Sequence, residues 1–136
     1  MKGTVVSTWI RTCRTLFGSQ PINECLKAVN WSEDIVFSPL DDVEDERIFL
    51  LIENISKKVN MPVANLWQEI GKNNIFEFAQ DYPIFFKRSN LFKFINSLNF
   101  IHVVIMKKIK GAKPPKMELE IVSKDSINLT YISNRE

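Results

Sequence analysis

Histidine occurs once in these 136 residues, cysteine twice and glycine four times, and each scarcity removes a class of function. A lone histidine cannot build a zinc or copper site from several imidazoles. Cys13 and Cys25 make neither a disulfide framework nor a paired-thiol motif, so they read as free thiols of a reducing compartment. There is no Gly-rich phosphate loop and no convincing Ser/His/Asp set. A formal charge of +2, with no dense basic stripe, argues against nucleic acid as a partner. No uninterrupted apolar run approaches membrane-spanning length, and Thr8, Arg11, Thr12 and Arg14 interrupt any apolar segment of a secretory signal. The chain reads as cytoplasmic.

What is present is the composition of one globular domain, with 45% apolar and 25% charged residues. Ten phenylalanines suit either a bulky core or the walls of a flat aromatic ligand's pocket. Val5, Trp9, Cys13 and Leu16 recur at helical spacing over residues 2–17, and Gly18 stops that helix. Ser19 or Gln20, then Pro21, open a second helix to about Asn30 with Ile22, Cys25, Leu26 and Val29 inward. Ser38 and Pro39 signal another start, followed by the acidic run Asp41, Asp42, Glu44, Asp45 and Glu46. That run reads as a solvated helix start favoured by the dipole, in preference to a cation site. The helix continues through Ile48, Leu51, Ile52 and Ile55 to Val59. Met61 and Pro62 open the next, which Gly71 should end, and residues 74–82 form a short helical segment before Pro83.

The stretch Leu91 to Gly111 carries the single histidine on an apolar stripe: Leu91, Ile95, Leu98, His102, Ile105 and Ile109 fall at alternating steps of four and three. Such a helix spans about 30 Å at roughly 1.5 Å per residue. Asn90 can cap its start, Gly111 can end it, and Lys107, Lys108 and Lys110 complement its dipole. An imidazole at a leucine's place needs a hydrogen bond or a metal, since an unpaired polar group in an apolar site costs about 1 to 3 kcal/mol. One reading is a core histidine bonded to a backbone carbonyl. The other is a metal ligand, and haem iron, which already has four ring nitrogens, asks for only one imidazole. Covalent haem attachment is excluded because no Cys-x-x-Cys-His occurs.

Beyond Pro114 and Pro115 the period changes from helical to alternating. Met117, Leu119 and Ile121 form a strand, residues 123–126 a turn, and Ile127 begins a second strand. Ile127, Leu129, Tyr131, Ser133 and Arg135 share one face, whose end gathers two hydroxyls and a guanidinium. It suits a carboxylate or reads as a solvated strand end.

The start MKGTVVSTWIRTCRTLFG, the helix IHVVIMKKIKGAKPP and the pattern Y-x-S-x-R at Tyr131, Ser133 and Arg135 together resemble the haem nitric oxide/oxygen binding (H-NOX) domain, related to the sensor of soluble guanylate cyclase. The resemblance runs from Met1 to Glu136. It implies an α+β fold with a helical bundle over about residues 1–60, a haem-ligating helix and antiparallel sheet over about 61–136, and haem b (iron protoporphyrin IX) between the two. His102 would be the proximal iron ligand, leaving the opposite face for a diatomic gas. Tyr131, Ser133 and Arg135 would hold the propionates and Pro115 would press on the porphyrin. Val5, Trp9, Asn74 and Phe78 match pocket positions. NO binding is common to the family, with O2 or CO as further ligands. The tyrosine that donates to O2 in oxygen-binding members would lie beyond Glu136, as would the last helix and strands of the family domain, so the resemblance describes a truncated domain. It implies a sensor and not an enzyme, cytoplasmic or the cytosolic part of a larger receptor. A histidine kinase, a cyclic-di-GMP enzyme or a chemotaxis receptor would read the signal. The competing reading is a haem-free helical protein-interaction module.

Overall fold

A computed structural model of the chain describes residues 1–87, 90–108, 110–111 and 113–133. Arg135 and Ile109, and the side chain of Ile105, lie outside the described residues. The fold is α+β, in two compact units, Met1–Tyr82 and Pro83–Glu136. The expected division near residue 60 therefore moves to Pro83, because the helix after Met61 packs with the N-terminal helices. Among the described residues no helix is long and apolar enough to cross a membrane.

The first unit holds α1 (Gly3–Phe17), α2 (Ser19–Ala28), α3 (Asp45–Lys58) and α4 (Val63–Asp81). Gly18, at φ 86°, ends α1 in a backbone conformation that side chains resist, and its N–H returns to the Arg14 carbonyl. The expected inner face of α2 is buried throughout: Ile22, Cys25, Leu26 and Val29. In α1 the deepest line is Val6, Ile10 and Cys13, one step round from the line read off the sequence, and Val5, Trp9 and Leu16 are partly buried. Ile48, Leu51, Ile52 and Ile55 of α3 and Leu66 and Ile70 of α4 complete this core. The run of β-branched residues in α1 is held by that packing, and the buried Thr8 hydroxyl donates back to the carbonyls of Thr4 and Val5.

Two expected boundaries are corrected. Ser38 and Pro39 do not start a helix: the Ser38 N–H donates to Asp41 Oδ2 at 2.7 Å and the Asp41 N–H to the Ser38 carbonyl at 3.0 Å, closing a turn. This turn lies against α1, where a Cβ on Gly3 would stand 2.3 Å from the Ser38 oxygen. The helix begins at Asp45, with Asp45 and Glu46 in its first turn. Gly71 does not end a helix, since α4 runs on to Asp81. Glycine inside a helix costs about 1 kcal/mol relative to alanine. Here Leu66, Ile70 and Asn74 keep one buried face across it, and Arg11 of α1 binds Glu77 at 2.9 Å and Asp81 on the next turn.

The core also sets a pH limit. Burial pushes the Cys13 thiol up to about 12 from an ordinary 9.0, with Cys25 beside it adding to the shift. Folding holds this proton where the unfolded chain would release it, so the contribution is intact below about pH 9 and is lost as pH rises towards 12. At pH 10.5 the loss should be about 2 kcal/mol, read as a lowered urea midpoint relative to pH 8. Cys13→Ala should be less stable at pH 8 but lose less on the same pH step. An equal loss in both proteins would contradict the assignment to Cys13.

The second unit holds α5 (Pro83–Phe86), α6 (Leu91–Lys108), β1 (Lys116–Ser123) and β2 (Ser126–Ile132). Asn90 caps α6 as expected, its Oδ1 accepting the Lys93 N–H at 2.9 Å. Phe86 stacks on Phe94 at 5.0 Å, joining α5 to α6. The strands form an antiparallel hairpin in which Met117, Leu119 and Ile121 face Tyr131, Leu129 and Ile127. The apolar stripe expected on α6 is only partly buried: Ile95, Leu98 and His102 are partly covered, Leu91 is 65% exposed, and the most buried described residue is Ile101.

Candidate functional site

His102 projects from α6, and its Nδ1 lies 2.9 Å from the carbonyl oxygen of Pro115, just ahead of β1. A carbonyl can only accept, so Nδ1 carries the proton and donates it. In the neutral ring this leaves the lone pair on Nε2, which has no hydrogen-bond partner among the described residues. The two readings of this histidine therefore take one nitrogen each: Nδ1 makes the bond to a backbone carbonyl, and Nε2 is available to a metal. Metal-bound histidines are held in this manner, with the second nitrogen donating to a carbonyl or carboxylate that fixes the ring.

The segment that receives this bond is held a second time. Asn99, three residues before His102 and so on the same side of α6, accepts the Met117 N–H on Oδ1 at 2.9 Å and donates from Nδ2 to the Met117 carbonyl. Across the hairpin Met117 faces Tyr131, which is 62% exposed, and Ser133 follows just past β2. The second unit thus gathers His102, Pro115 and Tyr131 through the short stretch 115–117, with Ser133 two residues beyond Tyr131. The third member of the donor pattern, Arg135, lies outside the described residues.

The first unit holds the other four expected residues. Val5 and Trp9 stand one turn apart on α1, and Asn74 and Phe78 one turn apart on α4, two helices that pack together. Trp9 meets Trp67 edge to face, with centroids 4.8 Å apart. The buried Thr12 hydroxyl donates to Asn74 Oδ1 at 3.2 Å, which orients the carboxamide and leaves its N–H2 end without a partner among the described residues. Phe78 packs near Tyr82, whose hydroxyl is hydrogen-bonded to that of Thr4 at 3.0 Å. Sequence reasoning missed Thr12 and Asn99. Nothing local marks either, because the partner of each lies at least 18 residues away along the chain.

A sequence model of the haem-NO-binding family matches residues 2–136. Several solved structures are similar to the whole chain. One, solved in work on how protein-induced porphyrin distortion modulates haem redox potential, is 38% identical with a TM-score of 0.93 and covers 100% of this chain and 76% of its own. An oxygen-binding H-NOX domain related to soluble guanylate cyclases, in its oxygen complex, is 38% identical with a TM-score of 0.91, over 100% and 72% of the two chains. A mutant of the T. tengcongensis H-NOX is 37% identical with a TM-score of 0.86, over 96% and 72%. No curated protein matches. With a family match along almost its full length and solved H-NOX domains superimposing on all of it, the chain belongs to the haem-NO-binding (H-NOX) family of haem-based gas-sensor domains.

Proposed function

We propose that this chain senses NO through a haem b whose ferrous iron is bound by Nε2 of His102. The observation that carries the reading is the His102–Pro115 bond, which fixes the tautomer with its lone pair on Nε2. When bound, ferrous haem would supply an iron able to take up a diatomic gas, and so a means of weakening its bond to the imidazole. The chain's own residues do the rest. His102 transmits a change at Nε2 to α6 and to the Pro115 carbonyl. The Pro115 ring would bear on the porphyrin. Tyr131, Ser133 and Arg135 provide two hydroxyls and a planar fork for the propionates. Val5, Trp9 and Phe78 would give an apolar lining, and Asn74, whose Oδ1 accepts from Thr12, would offer its N–H2 as a donor to a polar gas such as O2. That donor, together with the likeness to a solved oxygen complex, favours O2 as a second ligand, with CO a further one.

Signalling follows from movement of α6. A gas drives it only to the extent that it binds one arrangement of the helix better than the other. The reader of that movement is a histidine kinase, a cyclic-di-GMP enzyme or a chemotaxis receptor, in the cytoplasm. The test is an anaerobic absorption spectrum of the reduced, haem-loaded protein before and after NO, then separately with O2. A haem band that shifts with NO is expected. A protein that takes up no haem would overturn the proposal in favour of a haem-free interaction module.

A further inference from the structure

Asn99 is an exposed residue in the interior of α6, a position where asparagine is a poorer helix former than alanine and where no buried group requires an amide. Its carboxamide nevertheless takes both main-chain groups of Met117, as a neighbouring strand would. Since those groups face α6, they are not in the ladder with β2, so Met117 and Tyr131 form a non-hydrogen-bonded pair, the closer of the two antiparallel arrangements. One helical turn on, His102 holds the Pro115 carbonyl. Two side chains of one helix thus grip two residues of one strand entry, 115 and 117. A single bond would act as a pivot, whereas two resist both rotation and sliding of the strand entry along α6. Pro115 has no N–H of its own to anchor it, so its place is set by the His102 bond on one side and the Met117 clamp on the other.

We infer that Asn99 is a positioning residue for the iron ligand: by clamping Met117 it fixes the Pro115 carbonyl and hence the plane of the His102 ring. The inference rests on His102 being the iron ligand. Removing the clamp leaves the Nδ1 acceptor free to drift, so the imidazole would be held less firmly towards an iron bound at Nε2 and would be released more readily on exposure to NO.

The test uses wild type, Asn99→Ala and, as a control for helix composition, Asn96→Ala, an exposed asparagine of the same helix. Amide exchange at Met117 reads the clamp without any cofactor. Net hydrogen-bond worth predicts exchange about tenfold faster in Asn99→Ala and unchanged in Asn96→Ala. In the haem-loaded proteins, the ferrous iron–histidine stretching band should shift down and broaden in Asn99→Ala alone. The step from six- to five-coordinate spectrum after NO should quicken about three- to tenfold. Equal Met117 exchange in wild type and Asn99→Ala overturns the clamp whatever the haem does. Faster exchange with an unmoved stretching band and NO step overturns the positioning role and leaves the haem reading intact. Failure of all three proteins to take up haem overturns the haem reading itself and the inference with it.

Discussion

The His102→Gly protein is expected to lose its histidyl-ligated haem spectrum and every gas-dependent response, and to recover the spectrum when free imidazole is added. No other histidine exists in the chain to take the ligand's place. Outer partners of metal ligands are worth about 10- to 100-fold in affinity, so loss of the ligand should exceed about 100-fold. The structural cost is separable and smaller. Glycine inside α6 costs about 1 kcal/mol against alanine, and losing the bond to the Pro115 carbonyl costs about as much again. The core of the first unit, from Val6 to Ile70, contains no part of α6, so its helical signal should persist. Imidazole separates the readings: a rescued spectrum identifies the missing group as the ligand, and it should return without restoring the response, because free imidazole is not tied to α6 or to Pro115. Unchanged haem binding and NO response in His102→Gly would sink the assignment.

Local chemistry made most of the fold legible. Gly18, Pro21 and Asn90 mark helix ends through backbone preferences that act within a few residues, and all three stand at or just inside helix termini. The hairpin followed from a change of period after two prolines, and its strands pair as the alternation suggests. Two local signals were overruled, one by its immediate neighbours and one from another helix. The Ser38–Pro39 start signal became a turn because its hydroxyl and amide bond to Leu40 and Asp41. Gly71 stayed inside α4 because Leu66, Ile70 and Asn74 keep a buried face across it and Arg11, on another helix, binds beyond it. The site divides in the same way. His102 stood out as the one polar residue on an apolar stripe, and among the residues brought by family resemblance Val5, Trp9, Asn74, Phe78 and Tyr131 sit on the helices and the strand that the sequence assigned them, whereas Ser133 falls just past its strand. Which nitrogen of His102 remained available was not legible, since that depends on the Pro115 carbonyl 13 residues on. Asn99 and Thr12 look, in sequence, like any solvated helix polar residue, and only their partners distinguish them.

Haem added to the haem-free protein is expected to protect the second unit far more than the first. In Met1–Tyr82, four helices bury a continuous core running from Val6 to Ile70. In Pro83–Glu136, Ile101 is the one buried hydrophobic among the described residues, while Leu91, Phe100 and Ile121 are 65%, 63% and 78% exposed. A two-stranded hairpin with one long helix is marginal alone, and apolar side chains in contact with water supply no stabilisation. A ligand that binds only the folded form adds stability in proportion to the logarithm of its excess, about 2.7 kcal/mol at 100 times its dissociation constant. That corresponds to roughly 100-fold slower amide exchange wherever opening releases the ligand. The Met117 and Leu119 amides, on the side of β1 facing away from β2, should therefore slow by about this factor on haem addition. The amides of Leu26 and Ile55, whose protection comes from their own core, should change much less. Site-resolved exchange with and without haem measures both at once. Protection no greater at Met117 than at Leu26 would mean that the haem is not held by the second unit, and would count against His102 as its ligand as directly as the glycine variant does.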